Sequence, residues 1–410
     1  MPLPDLIEIV PLQKPVKAEV TVPGSKSITN RALVLAALAS GTVTLEGALW
    51  SEDTQVMVEC LHTLGFKVEV KADPNEFCNR TITVQGQGGV LPNAGTAEKP
   101  LELFVGNAGT AARFLAAMVC LGKGAYRLSG VPRMHERPQA SLFEALRQLG
   151  YQIDSANNKL PAVIHGVGPK AGSCAVSVDE SSQFASALIL SGAIGQWQVG
   201  IKGANTEELP YVEMTRELVK AFPKNGGAFY IEPDASSGSY FWAAGETVSH
   251  WPKSHWQIDA EFPKFLPLPA EVSRESDLGD SIMTGIVLAP FKATVTKFTE
   301  LGRLRVQECE RVVALRTELT KCGAKVIEEG DTLTVYPSQL HGAEIETYND
   351  HRMAMCFAVV GLRVPGIKLR NPSCVKKTFP NFFQKLAKDL GVTILDAQGN
   401  KLGHEDLFAA

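Results

Sequence analysis

Residues 23–41 read PGSKSITNRALVLAALASG: a small-residue loop, then Ala32 to Ala39 without a polar side chain, then Ser40-Gly41 where the chain can turn. A helix that is apolar on every face must be buried on every face. The same pattern returns five times. Gly106 to Thr110 (GNAGT) leads into Phe114 to Leu121 and Gly122, and Ser181-Ser182-Gln183 leads into Phe184 to Leu190 and Ser191-Gly192. Asp234 to Ser237 precedes Tyr240 to Ala244 and Gly245; Asp280-Ser281 precedes Ile282 to Ala289 and Pro290; Tyr348 to Arg352 precedes Met353 to Val360 and Gly361. Ser, Asn, Asp or Thr at the starts supplies N-caps, and Gly suits the exits.

Between these runs lie amphipathic helices that end in Gly and lead into a strand: Leu64-Gly65, Leu149-Gly150, Cys322-Gly323 and Leu390-Gly391. In the third, Val312, Leu315, Leu319 and Cys322 fall at steps of three and four, a one-sided apolar stripe. The pattern predicts six α/β units of about 65 residues, three per domain, in a chain whose 410 residues suit two domains. The fold expected is α/β with buried helices and outer sheets. A doubly wound sheet with unusually apolar helices is the alternative.

Composition excludes several classes. With 40 basic against 44 acidic side chains and no long basic run, a dedicated nucleic-acid binder is not expected. No stretch of 18 apolar residues exists, and Met1 to Val10 carries Asp5 and Glu8, so neither a membrane span nor a secretory leader is expected. The eight cysteines are scattered without a CxxC pair, which suits a reducing cytoplasm and no zinc site. No metal or organic cofactor is expected.

The loops before the helices gather cations. Lys26 and Arg31 stand at the first, Arg113 within the second, His351 and Arg352 at the sixth; Arg137, Arg305, Arg311, Lys376 and Lys377 lie in other short motifs. Helix N-termini attract anions through unpaired N–H groups and the helix dipole, so a small, highly anionic ligand is expected. GSKS lacks the second glycine of a P-loop, since Ser25 stands there. Taken singly, Ser181-Ser182 reads as a cap, His351 as a structural histidine and Asp280 as an N-cap. Their co-occurrence at matching places of a repeat points instead to one site.

PGSKSITNR, GNAGTAARFLAA, RMHERP, SSQF, DASSGSYF, YNDHRMAM and KKTFPNFF, in this order, closely resemble the motifs of the 5-enolpyruvylshikimate-3-phosphate (EPSP) synthase family. The resemblance implies two inverse α/β barrels of three units each, closing on substrate in an interdomain cleft. It places residues 1–24 with 233–410 in one domain and 25–232 in the other. It implies transfer of the enolpyruvyl (1-carboxyvinyl) group of phosphoenolpyruvate (PEP) to a ring hydroxyl of shikimate 3-phosphate or a close analogue. No metal takes part, and a monomer is expected.

By the same resemblance, Asp280 and Glu308 handle the proton transfers, with Lys26 sharing the work. Lys26, Arg137, Arg311, Arg352 and Lys377 hold PEP, completed by Gln183 and the Asn107–Gly109 backbone. Ser27, Arg31, Ser181, Ser182, Gln183, Tyr211 and Asp280 face the acceptor. Three acceptor positions depart from the family pattern: Gln307 replaces a lysine, Glu208 a serine and Arg303 an asparagine. A unit charge pair at 4 Å is worth ~4 kcal/mol at an effective dielectric of 20. Losing one attraction and gaining one repulsion therefore disfavours a dianionic ring phosphate, unless Arg303 restores the charge. An acceptor without that phosphate is the expectation. The alternatives are a lyase or dehydratase acting on a shikimate-type cyclohexene acid, and a non-catalytic ligand-binding relative.

Overall fold

The computed structural model describes residues 3–14, 16–203 and 209–409. The chain divides into two compact units. Gly24–Glu232 forms an internal unit, while Met1–Pro23 joins Pro233–Ala410 in a terminal unit.

Each unit is organised around three of the apolar helices read from the sequence. In the internal unit these are Lys26–Leu38, Gly109–Met118 and Ser182–Gly195, and in the terminal unit Ala235–Ala244, Ile282–Leu288 and His351–Gly361. Within each unit the three pack on one another, and Gly109–Met118 and Ile282–Leu288 are buried at every residue. Five of these six helices start earlier than their apolar runs, and Ile282–Leu288 starts with its run. Lys26 itself is helical, so the polar motif forms the first turns rather than a loop ahead of them.

Side-chain caps make this possible. Ser25 Oγ accepts from Ile28 N (3.5 Å), Ser181 Oγ from Gln183 N (3.2 Å), Asp234 Oδ1 from Ser237 N (2.7 Å) and Asp350 Oδ1 from Arg352 N (2.9 Å). Asp280 is not a cap. It sits in the short turn Gly279–Ser281 ahead of Ile282–Leu288, and its carboxylate faces guanidinium groups.

The sheets repeat as well. Among the described residues four sheets are four-stranded, and each is a parallel pair continued by two antiparallel strands. One runs Gly227–Tyr230, Thr42–Leu49, Asn79–Gln85, Val68–Ala72; another runs Leu101–Phe104, Lys123–Ser129, Ala162–Val167, Gln152–Asp154. In the terminal unit the third is Glu271–Ser273, Thr296–Thr299, Thr332–Val335, Val326–Glu329. The fourth is Glu344–Ile345, Ile367–Arg370, Leu6–Ile9, Ile394–Asp396. There the N-terminal strand fills the place that the local chain fills in the other three. Two parallel pairs, Gly172–Ser177 with Trp197–Lys202 and Glu19–Val20 with Thr247–Val248, complete three sheets per unit.

The amphipathic helices end as their glycines require. Gly65, Gly150 and Gly323 adopt φ of +89°, +84° and +91°. The next N–H reaches back in each case: Phe66 to Leu61 O (3.0 Å), Tyr151 to Leu146 O (3.1 Å), Ala324 to Leu319 O (2.9 Å). Val312, Leu315, Leu319 and Cys322 are all fully buried, as the stripe predicts. No helix among the described residues is long and apolar enough to cross a membrane. All eight cysteines are free thiols.

Candidate active site

In the terminal unit the three helix starts are bound together by charge. Arg352, in the first turn of His351–Gly361, donates through Nη1 to Ser236 Oγ on Ala235–Ala244. Its Nη2 lies 3.3 Å from Asp280 Oδ2, just ahead of Ile282–Leu288. Asp280 also meets Arg274 Nη2 at 3.0 Å and Arg311 Nη1 at 3.9 Å. Burial alone would raise the Asp280 pKa, but Arg352, Arg274 and Arg311 outweigh it and hold the carboxyl well below the usual range.

Arg311 is the hub. Its Nε and Nη2 take the two oxygens of Asp350 at 2.7 and 3.2 Å, a bidentate pair. Nη2 also meets Glu308 Oε2 at 2.8 Å, and Lys377 Nζ lies 3.3 Å from the other Glu308 oxygen. Burial disfavours the Arg311 charge, yet Asp350, Glu308 and Asp280 raise its pKa above the ordinary arginine value. Gln307 belongs to this cluster too, since its Oε1 accepts from Arg311 Nη1 and its Nε2 donates to Asp280 Oδ1 at 3.4 Å.

The internal unit holds its cations differently. Arg31, 3 % exposed, donates to Thr215 Oγ1 (2.7 Å), Ser27 O (2.9 Å), Ser186 Oγ (3.2 Å) and Tyr211 O (3.4 Å). It also stands over the Phe114 ring, 5.3 Å from the centroid, so it touches all three central helices. Lys26 Nζ lies 3.3 Å from Asp53 Oδ2. Arg137 donates to Asn107 O (3.1 Å) and Arg113 to Pro138 O (2.8 Å).

Gly109 lies against both of those guanidiniums. A Cβ there would fall 2.4 Å from Arg113 Nη1 and 2.6 Å from Arg137 Nη2, so only glycine permits the approach. Gln183 Nε2 donates to Thr110 Oγ1 (3.2 Å), linking two helix starts, while Ser181 caps and Ser182 opens its helix.

The expected site residues thus fall into two groups. The structure brings Asp280, Gln307, Glu308, Arg311, Arg352 and Lys377 together in the terminal unit. Lys26, Ser27, Arg31, Asn107, Gly109, Arg137, Ser181, Ser182, Gln183 and Tyr211 lie in the internal unit. Glu208 lies outside the described residues. Arg303 sits in the short turn Gly302–Val306. Arg305, counted from the sequence among the ligand cations, is instead bound to Glu310 (2.6 Å), Glu328 (2.8 Å) and Asp331 (2.8 Å), where it fastens that turn to the neighbouring hairpin. Tyr211 presents its carbonyl oxygen to Arg31 and Thr215.

Sequence reasoning missed Arg274, Asp350, Asp259 and Asp53. Asp350 was legible as a cap but not as the partner of Arg311, which is 39 residues away in sequence. Among the described residues no cluster of three or more His, Cys, Asp or Glu side chains could hold a metal.

A family model described as EPSP synthase (3-phosphoshikimate 1-carboxyvinyltransferase) matches residues 10–250 and 268–386. The 3-phosphoshikimate 1-carboxyvinyltransferase of Trichormus variabilis is 37% identical, over 94% of this chain and 100% of the relative. That of Opitutus terrae is 38% identical, over 94% of this chain and 98% of its own. Among solved structures, EPSP synthase from Acinetobacter baumannii gives a TM-score of 0.73 at 22% identity, covering 95% of this chain and 99% of that one. The enolpyruvyl transferase NikO from Streptomyces tendae gives 0.71 at 17% identity, covering 98% and 100%. At those identities the likeness to solved structures establishes the fold alone.

Proposed function

Because the chain belongs to the EPSP synthase family, we propose that it is a carboxyvinyltransferase that moves the enolpyruvyl group of PEP onto a ring hydroxyl of a shikimate-type acceptor. The observation that carries this reading is the cluster around Asp280 and Glu308, two acids held among Arg274, Arg311, Arg352 and Lys377. The chemistry needs both kinds of group. The acceptor oxygen bonds to C2 of PEP while its proton leaves and C3 gains one. The C3 proton is then lost and the C2–O bond to phosphate breaks. Carboxylates carry the protons, and guanidinium and ammonium groups hold the carboxylate and the departing phosphate.

The same cations explain how a strongly ionised Asp280 becomes a base. In the free protein Arg352, Arg274 and Arg311 hold it ionised. Anionic PEP seated on Arg311 and Arg352 offsets their charge. Removing one such pair interaction is worth about 4 kcal/mol, on the order of three pKa units. Basicity thus rises when substrate is present. Lys26, Arg137, Gln183 and the Asn107–Gly109 backbone supply the remaining PEP contacts in this reading, and Ser27, Arg31, Ser181 and Ser182 those to the acceptor.

A narrower reading, that the acceptor carries no ring phosphate, is favoured by Gln307. It stands where the family pattern has a lysine, and its amide is bound to Arg311 and Asp280. Phosphate release from PEP, measured with shikimate 3-phosphate and with shikimate, tests both readings. Turnover with either acceptor supports carboxyvinyl transfer, and product formed without PEP overturns it in favour of a lyase. Turnover confined to shikimate 3-phosphate overturns the narrower reading.

A further inference from the structure

The family match is interrupted between residues 250 and 268, and the unmatched segment reaches two of the terminal unit's helix starts. Gln257 and Asp259 are both buried. Gln257 Oε1 accepts from Ala235 N (3.0 Å) while its Nε2 donates to Pro233 O (2.9 Å), which fastens the start of Ala235–Ala244. Two residues on, Asp259 Oδ1 accepts from Ser281 N at 2.6 Å. Ser281 directly follows Asp280. Trp251 Nε1 donates to Ala260 O (2.9 Å) and holds the segment from its other side.

A carboxylate buried near another carboxylate is costly. Burial, and then the charge of Asp280, push the Asp259 pKa up to about 7, against the pull of Arg352 and of the Ser281 N–H. An apolar side chain would fill the space without that cost. What it could not do is accept from the Ser281 N–H, which belongs to the turn Gly279–Ser281 that presents Asp280 to Arg274 at 3.0 Å and Arg352 at 3.3 Å.

We infer that Asp259 is a positioning residue for the reaction: its hydrogen bond to the Ser281 N–H fixes the turn that aims Asp280 among Arg274, Arg311 and Arg352. This rests on the carboxyvinyl-transfer reading. A misplacement of about 1 Å at a reacting group costs on the order of 10²-fold in rate, so a lost anchor shows in kcat more than in substrate binding. The full-length Asp259→Ala and Asp259→Asn proteins test it, through kcat and KM for PEP by phosphate release and through hydrogen exchange of peptides covering residues 278–286.

Asp259→Ala is expected to lower kcat about 10²-fold with the KM for PEP within about threefold, and to speed exchange at Ser281. Asp259→Asn keeps an acceptor oxygen, so kcat within about tenfold of wild type and retained protection are expected. That near-isosteric variant decides the matter if Asp259→Ala does not fold. Native kcat in Asp259→Ala, or Asp259→Asn equally impaired while Ser281 stays protected, overturns the inference. Absence of phosphate release by the wild-type protein would defeat the functional reading instead, and the exchange measurement would still judge the anchor.

Discussion

Arg352 in the terminal unit and Arg31 in the internal unit do the same structural work with different chemistry. Each reaches from its own helix to others of its unit. Arg352 does so through Asp280 and Ser236, Arg31 through Thr215, Ser186, two backbone carbonyls and the Phe114 ring. Burial disfavours the Arg352 charge, and Asp280 more than compensates, so the guanidinium titrates well above the ordinary value. Acids and bases in the terminal unit therefore stabilise one another, and removing one strands its partner. Around Arg31 in the internal unit stand hydroxyl and carbonyl oxygens, and the loss of any one of these neutral acceptors is mild. The cluster where proton transfer is proposed relies on coupled charges, and Arg31 draws on the dipoles of hydroxyls and carbonyls.

The comparison can be tested in five ways. Asp280→Asn is expected to lower phosphate release about 10³-fold, because the carboxylate is both proton carrier and counter-charge; activity within tenfold of wild type would detach the cluster from the chemistry. Asp350→Ala leaves Arg311 buried without its bidentate partner and should cost about 4 kcal/mol in urea unfolding. Its counterpart, Thr215→Val, removes one neutral acceptor from Arg31 and should cost about 1.5 kcal/mol. Equal costs would erase the distinction between the units.

Acidity separates Asp259 from Asp280. The Asp259 carboxyl binds its proton more tightly folded than unfolded, with a pKa near 7 against an ordinary 3.8. Its contribution to stability therefore falls as pH rises from about 4 to 7, by about 1.4 kcal/mol per pH unit. Asp280 is depressed, so its contribution is present above the ordinary carboxylate range and is lost as pH falls below it. Relative to Asp259→Asn, the wild-type protein should lose stability with rising pH across that window in urea titrations. A flat difference would show that Asp259 is not strained by its neighbours. The smallest effect sharpens the internal unit: Gly109→Ala should raise the KM for PEP about tenfold by displacing Arg113 and Arg137 from their rotamers.

The six central helices were legible because runs of five to eight residues with almost no polar side chain, unbroken in Ala32 to Ala39, allow one environment only. The helix exits were equally plain, since Gly65, Gly150 and Gly323 each stand where a left-handed residue must close the turn. Asp280, Glu308 and Arg311 were found through their motifs. Asp259 and Arg274 were not, because a lone acid or base in the irregular stretch between Val248 and Ile282 gives no periodic signal. Asp53 was hidden by an ordinary role, for Ser51-Glu52-Asp53 reads as a capped helix start with acids in the first turn. Its pairing with Lys26 is a fact of tertiary structure alone.

Leu6–Ile9 is sandwiched between Ile367–Arg370 and Ile394–Asp396, which gives synthesis on the ribosome an order. That strand has no neighbours until Ile367–Arg370 and Ile394–Asp396 are made, whereas Gly24–Glu232 has its own partners more than a hundred residues sooner. Domains form as units while the chain lengthens, so residues Leu6–Ile9 are a deferred closure of their sheet. Clipping them would split a sheet down its middle.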